Sequence, residues 1–468
     1  MAGTYLEGTS KILSGVYTLM RAAVEYVSLG ARGTVAYPFT SNWGPVNQLK
    51  TVLYGSEFDK LYNAKLTTLT AFKISAHAFK GKPQRVLAWR MATTSAKKGT
   101  CVLNAASEQM ALTLETLYPS DRAFVAAVKD SLNYAGGKMV EITENSRLLA
   151  RFDAPTLEEL AIKIGYSDHI RVTAKGTSLP VNTAGVSFTG GNNGSAITVE
   201  DYGDFMTAIE ADGKANAFTF DGISDETILA VAEEFTKRVR SEGFYVTWVR
   251  GGPADWDAGR EAADQASTNC NHRGIVNVGN GCDGYTAAEM AIFIAARVAS
   301  IPLNRTLTDE VIDYNAVNKQ PTPGERAVAK ENGTLLFMME GTACLIDEGV
   351  NTLVNPMTDE VKEMGKVRIN NALDQISHDL EVFGNEYKKT RSNTAAARQT
   401  YASTVEDTYL KALVTLEVVQ PGYYYREDPQ YHGTDAVFHP KPDEAFFYAD
   451  LTPVDSMERI YQKITLHF

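Results

Sequence analysis

The sequence predicts a multi-domain protein in which a central α/β unit is joined to smaller α+β units at the N- and C-terminal ends, with extended terminal arms. Three observations carry this. Between Val199 and Ala299, apolar β runs alternate with helical stretches; residues 32–98 place two strand-like runs around a helix; after Leu335 the pattern becomes two helices followed by a β-rich end. Apolar β runs separated by helices are the mark of a parallel sheet covered on both faces.

The first thirty residues carry Gly3, Gly8 and Gly15 and no clean period, so they read as an arm. RGTVAYPF is strand-like, Asn42-Trp43-Gly44-Pro45 is turn chemistry, QRVLAWRMA (84–92) is a second strand, and Leu66 to Phe79 is helical. From about 100 to 200 come short β runs such as LARFDA and HIRVTA, a helix at 156–164, and a long Gly/Asn/Ser/Thr-rich loop from Thr177 to Ser195. The alternating region follows: helix Val199–Ala211, strand AFTFDGI, amphipathic helix Asp225–Arg240, strands FYVTWV and GIVNV, then helix Thr286–Ala299. LTDEVID looks helix-like, LLFMME and ACLID are strands, and helices are expected at 358–382 and 394–418. DAVFHP, EAFFYADL and SMERIYQKITLHF close the chain as β runs, the last alternating through Ile460, Gln462, Ile464, Leu466 and Phe468. That last strand completes a sheet in its own subunit or in a neighbour.

These shifts set expected boundaries: an arm over 1–28, an α+β domain over 29–98, a central α/β domain over 99–345 with an insertion near 100–195, an α+β domain over 346–455, and an arm strand over 456–468.

With 468 residues, 44% hydrophobic and 22% charged, the composition suits a globular chain of about two to four domains. A formal charge of -12 argues against nucleic-acid binding, which needs a basic footprint, and against a membrane-surface anchor. The most apolar helical run, Ala287 to Leu303, contains Glu289 and Arg297 and is too short to span a bilayer; the N-terminal sequence lacks the apolar stretch of a signal peptide. Cys101, Cys270, Cys282 and Cys344 are far apart and are expected as reduced, buried thiols of a protein made in a cytoplasm.

Chemical motifs are fragmentary. Gly279-Asn-Gly281-Cys-Asp-Gly284 follows a strand and precedes a helix, as a dinucleotide fingerprint does, and supports a rival reading as a nucleotide-dependent oxidoreductase. Asp283 would repel a phosphate, and no strand-terminal acid follows at the right distance, so a tight loop is expected. His432-Gly433-Thr434 and Gly8-Thr9-Ser10 resemble pieces of a serine-hydrolase site in the wrong order, with no G-x-S-x-G elbow. Cys270, His272 and Cys282 fit no zinc spacing. Asp255/Asp257 and Glu406/Asp407 are acid pairs; a helix-capping role is expected for the first. No catalytic, cofactor or metal residue is assigned. A soluble ligand-binding scaffold is the other rival. One basic cluster stands out, Lys388, Lys389, Arg391 and Arg398, with Lys366 and Arg368 close in sequence; it is either a solvated face or a docking surface.

Read in order, several segments are similar to the tail sheath family of contractile phages, defective prophages and R-type bacteriocins. They are MAGTY-x-x-G-x-x-K with GVYT (15–18), RGTVAYPFTSNWGP (32–45), FTGGNNGSAITVEDYGDFMTAIE (188–210), EGVNTLV (348–354), GKVRINNALDQISHDL (365–380) and DLTPVDSMERIYQKITL (450–466). The resemblance spans nearly the whole chain and weakens between about 100 and 185. It implies a structural protein without enzymatic activity or cofactor, with a central subtilisin-like α/β domain lacking the catalytic triad and an outward-facing insertion. It implies self-assembly into six-fold rings stacked around a tail tube protein, contraction that drives the tube through a bacterial envelope, and baseplate and tail terminator partners in a virion or bacteriocin particle assembled in the host cytoplasm. Neither nucleic acid nor membrane insertion is implied. Intersubunit strand exchange would use Val16, Tyr17, Thr18, Ile460, Gln462, Ile464 and Leu466; the tube-facing residues would be Lys366, Arg368, Lys388, Lys389 and Arg391.

Overall fold

The computed structural model describes residues 2–3, 16–17, 32–63, 68–106, 109–389 and 392–464. They divide into two compact units: residues 32–378 with those from Thr452 onward, and residues 379–451 with the described residues before Arg32.

The first unit is built on a seven-stranded sheet in the order Thr334–Leu335, Ile275–Val278, Thr247–Gly251, Ala217–Phe218, Thr34–Phe39, Arg85–Arg90, Leu49–Val52. Neighbours run parallel except Leu49–Val52, which is antiparallel to Arg85–Arg90. Thr34–Phe39 is buried at every position, as a strand covered on both faces must be. Val35, Tyr37 and Phe39 enter one core with the helices Thr70–Lys80 and Ala287–Ser300, and Ala36 enters the other with Val199–Asp212 and Glu226–Ser241. Pro38 is tolerated here for a local reason. Thr34 and Ala36 turn their carbonyls to the 216–219 segment, so the amide Pro38 lacks would point the same way, beyond the end of the two-residue Ala217–Phe218 strand.

The expected separate domain over 29–98 is therefore corrected. Its strands sit beside Ala217–Phe218 in the large sheet. Local pattern identifies a strand; the partner is chosen by which faces need covering. The helix expected from Leu66 begins at Thr70, and a second helix, Gly55–Tyr62, precedes it.

Residues 100–187 form a satellite with its own core. Four strands order as Arg147–Ala154, Lys138–Glu144, Phe124–Asp130, Thr183–Ser187, and three as Ile170–Lys175, Met110–Thr116, Thr100–Asn104. Phe124, Leu112, Leu114, Val140, Ile142 and Leu160 fill the space between them and the helix Leu157–Gly165. The Thr177–Ser195 stretch is thus not wholly loop. Arg90, fully buried, donates to the carbonyls of Ser41, Gly44 and Pro119 at 2.9, 2.8 and 3.0 Å, tying the satellite to the sheet.

LTDEVID is corrected from helix to a short strand, Val311–Ile312, pairing with Ala343–Ile346, which also pairs with Phe337–Glu340. The NTL stretch locks a turn: Asn351 Nδ2 donates to the Met364 carbonyl at 2.7 Å and Thr352 Oγ1 to the His272 carbonyl at 2.9 Å, with both residues buried.

The helix expected at 358–382 is Val367–Tyr387. In the second unit, Ala395–Thr404, a π-helical Val405–Leu410 and Lys411–Thr415 follow one another. The buried Tyr409 hydroxyl donates to Asp379 at 2.8 Å. Tyr424–Glu427 and Phe447–Asp450 form a two-stranded antiparallel sheet. DAVFHP forms no strand; instead Tyr431 stacks on Phe438 and Phe446, and the Phe438 amide donates to the Gln430 carbonyl.

Candidate functional site

The Gly279–Gly284 loop has its donors engaged. The amide of Gly281 donates to Asp257 Oδ1 at 2.8 Å, that of Gly284 to Asn318 Oδ1 at 2.7 Å, and that of Asp283 to the Ala316 carbonyl at 2.9 Å. Asp283 in turn accepts from the amides of Asn315 and Ala316 at 3.1 and 2.9 Å. A side chain at Gly281 would collide with the Tyr285 carbonyl. The segment is a tight turn whose amides are already spoken for by protein acceptors, which is what a phosphate cradle must leave free. Asp257 belongs to this turn and also accepts from Asn318 Nδ2 at 2.8 Å. The expected cap by Asp255 or Asp257 is corrected, because the short Asp255–Ala258 helix has no side-chain cap.

All four cysteines are free and buried, and the sulfurs of Cys282 and Cys344 lie 3.8 Å apart. Burial pushes the Cys270 thiol up to about 12 and the Cys101 thiol to about 11, away from reactive thiolate character. Burial, reinforced by Arg240, Lys237 and Arg273, pushes His272 down to about 3, and its Nδ1 accepts from the Gly274 amide. His432 Nε2 accepts from the Phe446 amide at 3.0 Å; Ser10 lies outside the described residues. Among the described residues, no group of three His, Cys, Asp or Glu could hold a metal, and no helix is long and apolar enough to cross a membrane.

The basic residues separate into two sets. Lys366 Nζ lies 2.7 Å from Asp455 and 2.8 Å from Glu458. Burial opposes its charge, but the two carboxylates outweigh that and hold the ammonium above its ordinary range. Arg368 is buried and bonds Ser456 Oγ. These two residues hold the 455–458 segment rather than presenting a free basic face. Asp455 and Glu458 lie far along the chain, so the pairing had no local signal. Lys388 and Lys389 are exposed, Arg398 Nε donates to Glu427 at 2.7 Å, and Arg391 lies outside the described residues.

Glu458 also accepts from Thr308 Oγ1 at 3.2 Å. Beyond this anchor Ile460, Tyr461 and Ile464 are 69, 89 and 80% exposed, Gln462 is exposed as well, and residues 456–464 form no strand, contrary to the regular strand expected there. Leu466 and Thr18 lie outside the described residues. Val16–Tyr17 pairs in parallel with Ala2–Gly3.

In the second unit, Tyr425 and Phe447 stack at 5.5 Å between ring centres, and Tyr401 meets Phe447 at 4.9 Å. Arg398 reaches Glu427 from the same helix, so one face of the small sheet is fastened to Ala395–Thr404. Glu406, read from sequence only as half of an acid pair, accepts from the Tyr425 amide at 3.4 Å.

Residues 195–352, which carry most of the large sheet, match the family model of the phage tail sheath protein central domain. The matched segment supplies four strands of the large sheet and the helices Val199–Asp212, Glu226–Ser241 and Ala287–Ser300 on its faces, and the resemblance drawn from the sequence holds there. Over nearly the whole chain the fold is that of known sheath proteins. The sheath tail protein from Desulfitobacterium hafniense has a TM-score of 0.68 at 19% identity, with 94% of this chain and 100% of that one covered. The sheath tail protein from Listeria innocua has a TM-score of 0.68 at 17% identity, covering 91% and 96%. The sheath of an extracellular contractile injection system in its contracted state has a TM-score of 0.51 at 9% identity, covering 98% of each chain. In sequence, the uncharacterized protein YqbK of Bacillus subtilis (strain 168) is 22% identical over 494 aligned residues, 98% of both chains.

Proposed function

We propose that this chain is the structural subunit of a contractile tail sheath, polymerising as stacked rings around a tail tube and contracting to drive that tube through a bacterial envelope. The observation that carries the reading is the match of residues 195–352 to the sheath central domain, on the segment that builds most of the parallel sheet. Contraction needs two packings of the same subunits, the extended one held behind a barrier. It requires rigid bodies and tethers rather than a reaction centre.

The central domain is read as a subtilisin-like α/β domain without its triad, supported by parallel strands with helices on both faces. The 100–187 satellite is read as outward-facing, supported by its separate core and by the 85% exposed Tyr166 and 90% exposed Leu132. Val16, Tyr17, Thr18, Ile460, Gln462, Ile464 and Leu466 supply strands to the C-terminal sheet of neighbouring copies. The exposed, unpaired 460–464 run and the free edge of the Tyr424–Glu427/Phe447–Asp450 sheet support this. Main-chain hydrogen bonds then form a tether that survives large rigid-body rotation. Lys388, Lys389 and Arg391 face the tube protein; Lys366 and Arg368 instead anchor the departing arm. Baseplate and terminator proteins bound the assembly, which takes place in the host cytoplasm.

Negative-stain electron microscopy of the purified chain tests the reading. Tubes formed without nucleotide or metal are expected. A chain that stays monomeric at high concentration and binds a nucleotide saturably would overturn it in favour of the oxidoreductase alternative.

A further inference from the structure

Cys282 and Cys344 are 62 residues apart in the chain, yet their sulfurs meet at 3.8 Å. Cys282 sits inside the turn whose amides Asp257, Asn318 and Ala316 engage, and its backbone bridges to Val317. Cys344 lies in the strand Ala343–Ile346 and is paired on both sides, with Ile312 and with Met339. Both backbones are therefore held, and the sulfur contact is a fixed feature of the first unit. The other two thiols have no sulfur neighbour of this kind. Cys101 Sγ faces the Val186 carbonyl, and Cys270 Sγ faces Glu233 and Arg250.

The pair is also chemically asymmetric. The Cys282 thiol donates to the Cys344 sulfur. That bond, with burial second, holds Cys282 far above the ordinary thiol range; the same bond draws Cys344 below it, against burial and the nearby Asp283. A sulfur with thiolate character touching a thiol is the arrangement of an attacking group and a resolving one. Their cover is thin. Asp283 and Thr342 are exposed, so each buried cysteine lies within two residues of solvent.

We propose that Cys282 and Cys344 form a latent disulfide, closed by a small peroxide after folding, that staples the 279–284 turn to the Ala343–Ile346 strand. Closure takes two steps. The Cys344 sulfur attacks one peroxide oxygen, the O–O bond breaks, and the other oxygen leaves as water with the thiol proton. The Cys282 sulfur then attacks the Cys344 sulfenic acid, and the hydroxyl leaves with the Cys282 proton as a second water. The two sulfurs lose two electrons and the peroxide gains them. The sulfurs must close from 3.8 to about 2.0 Å, a distance that rotation of the two side chains can cover. Joining residues this far apart in sequence restrains the unfolded chain and so favours the folded one. Only the timing of closure rests on the assembly reading above: a chain folded in a reducing cytoplasm meets an oxidant once it is released.

The test uses the full chain, purified under reductant, freed of it, and treated with hydrogen peroxide at neutral pH. After denaturation with iodoacetamide and digestion with trypsin, mass spectrometry should find peptide 274–297 joined to peptide 331–362. Reduction should separate them, and Cys101 and Cys270 should still be alkylated. The linked chain should melt about 5 °C above the reduced one. Cys344→Ala, which keeps a small apolar side chain in the strand, should show neither linkage nor a peroxide-dependent shift. Both thiols remaining free at a dose that oxidises the 83% exposed Met457 would overturn the proposal. Sulfinic acid at Cys344 without linkage, or loss of all four thiols at one rate, would overturn it as well. A linked chain that melts with the reduced one would refute the stapling role.

Discussion

Glu458 is clasped by Lys366, with Oε2 2.8 Å from Nζ, while its other oxygen accepts from Thr308, so the exposed run from Arg459 onward departs from a fixed point on the first unit. A tether in a moving assembly needs a fixed origin. Without one, a strand exchanged as proposed would slide rather than transmit load. The clasp is partly buried, with side-chain exposures of 27 and 11%. Charged hydrogen bonds of this kind contribute about 1–3 kcal/mol.

Lys366→Met should therefore loosen residues 455–464. Tryptic release of the peptide after Arg459, followed by mass spectrometry, should quicken by roughly 5- to 30-fold, the factor that about 1–2 kcal/mol implies. The exchange Lys366→Glu with Glu458→Lys should restore much of the protection. Unchanged release in Lys366→Met would show that the clasp does not hold the segment.

The buried pair Arg240–Asp374 joins the Glu226–Ser241 helix to the start of Val367–Tyr387, with a bidentate contact at 2.9 and 2.7 Å and exposures of 3 and 5%. Asp374→Ala leaves the guanidinium buried without its carboxylate. A loss of about 3–5 kcal/mol is expected from urea unfolding. Replacing both with apolar residues of similar volume should cost much less, and equal losses would contradict the desolvation argument.

His77 is buried, within 2.6 Å of the Tyr314 hydroxyl. Burial, reinforced by Lys80 and partly offset by Glu289 and Asp283, pushes it down to about 4 from an ordinary 6.5. The folded state disfavours its proton, so its contribution is complete above about pH 6.5 and is lost as pH falls toward 4. Between pH 7.5 and 4.5 this amounts to about 2–3 kcal/mol. His77→Gln should flatten the urea midpoint across that range, only in part because His272 acts in the same sense. A variant with the same acid sensitivity as the parent would refute the assignment.

Lys388→Glu with Lys389→Glu should leave the monomer melt within about 0.5 kcal/mol of the parent, since both residues are exposed. Co-assembly with the tube protein, followed by sedimentation, should fail. Normal co-sedimentation would remove these residues from the tube-facing surface.

Alternation and capping were legible locally. Thr286 with Glu289, and Asp225 at the start of its helix, set helix ends in the chain itself, and an apolar run such as TVAYPF announces a strand buried on both sides. The failed enzyme motifs were legible too, because Asp283 is in the wrong place for a phosphate. Boundaries were not. Residues 34–90 look like a small domain until the Ala217–Phe218 strand is seen to lie against Thr34–Phe39.

The division follows from range. Period, turn chemistry and charge act over a few residues, so the chain alone specifies its elements, its α/β character and the exposed alternation of Ile460, Gln462 and Ile464. Pairing across a fold depends on which faces must be covered and which charges must be neutralised once water is excluded. Folding therefore turned Lys366 and Arg368 from members of a basic cluster into the anchor of a terminal segment, and Glu406 from half of an acid pair into the cover of one strand edge.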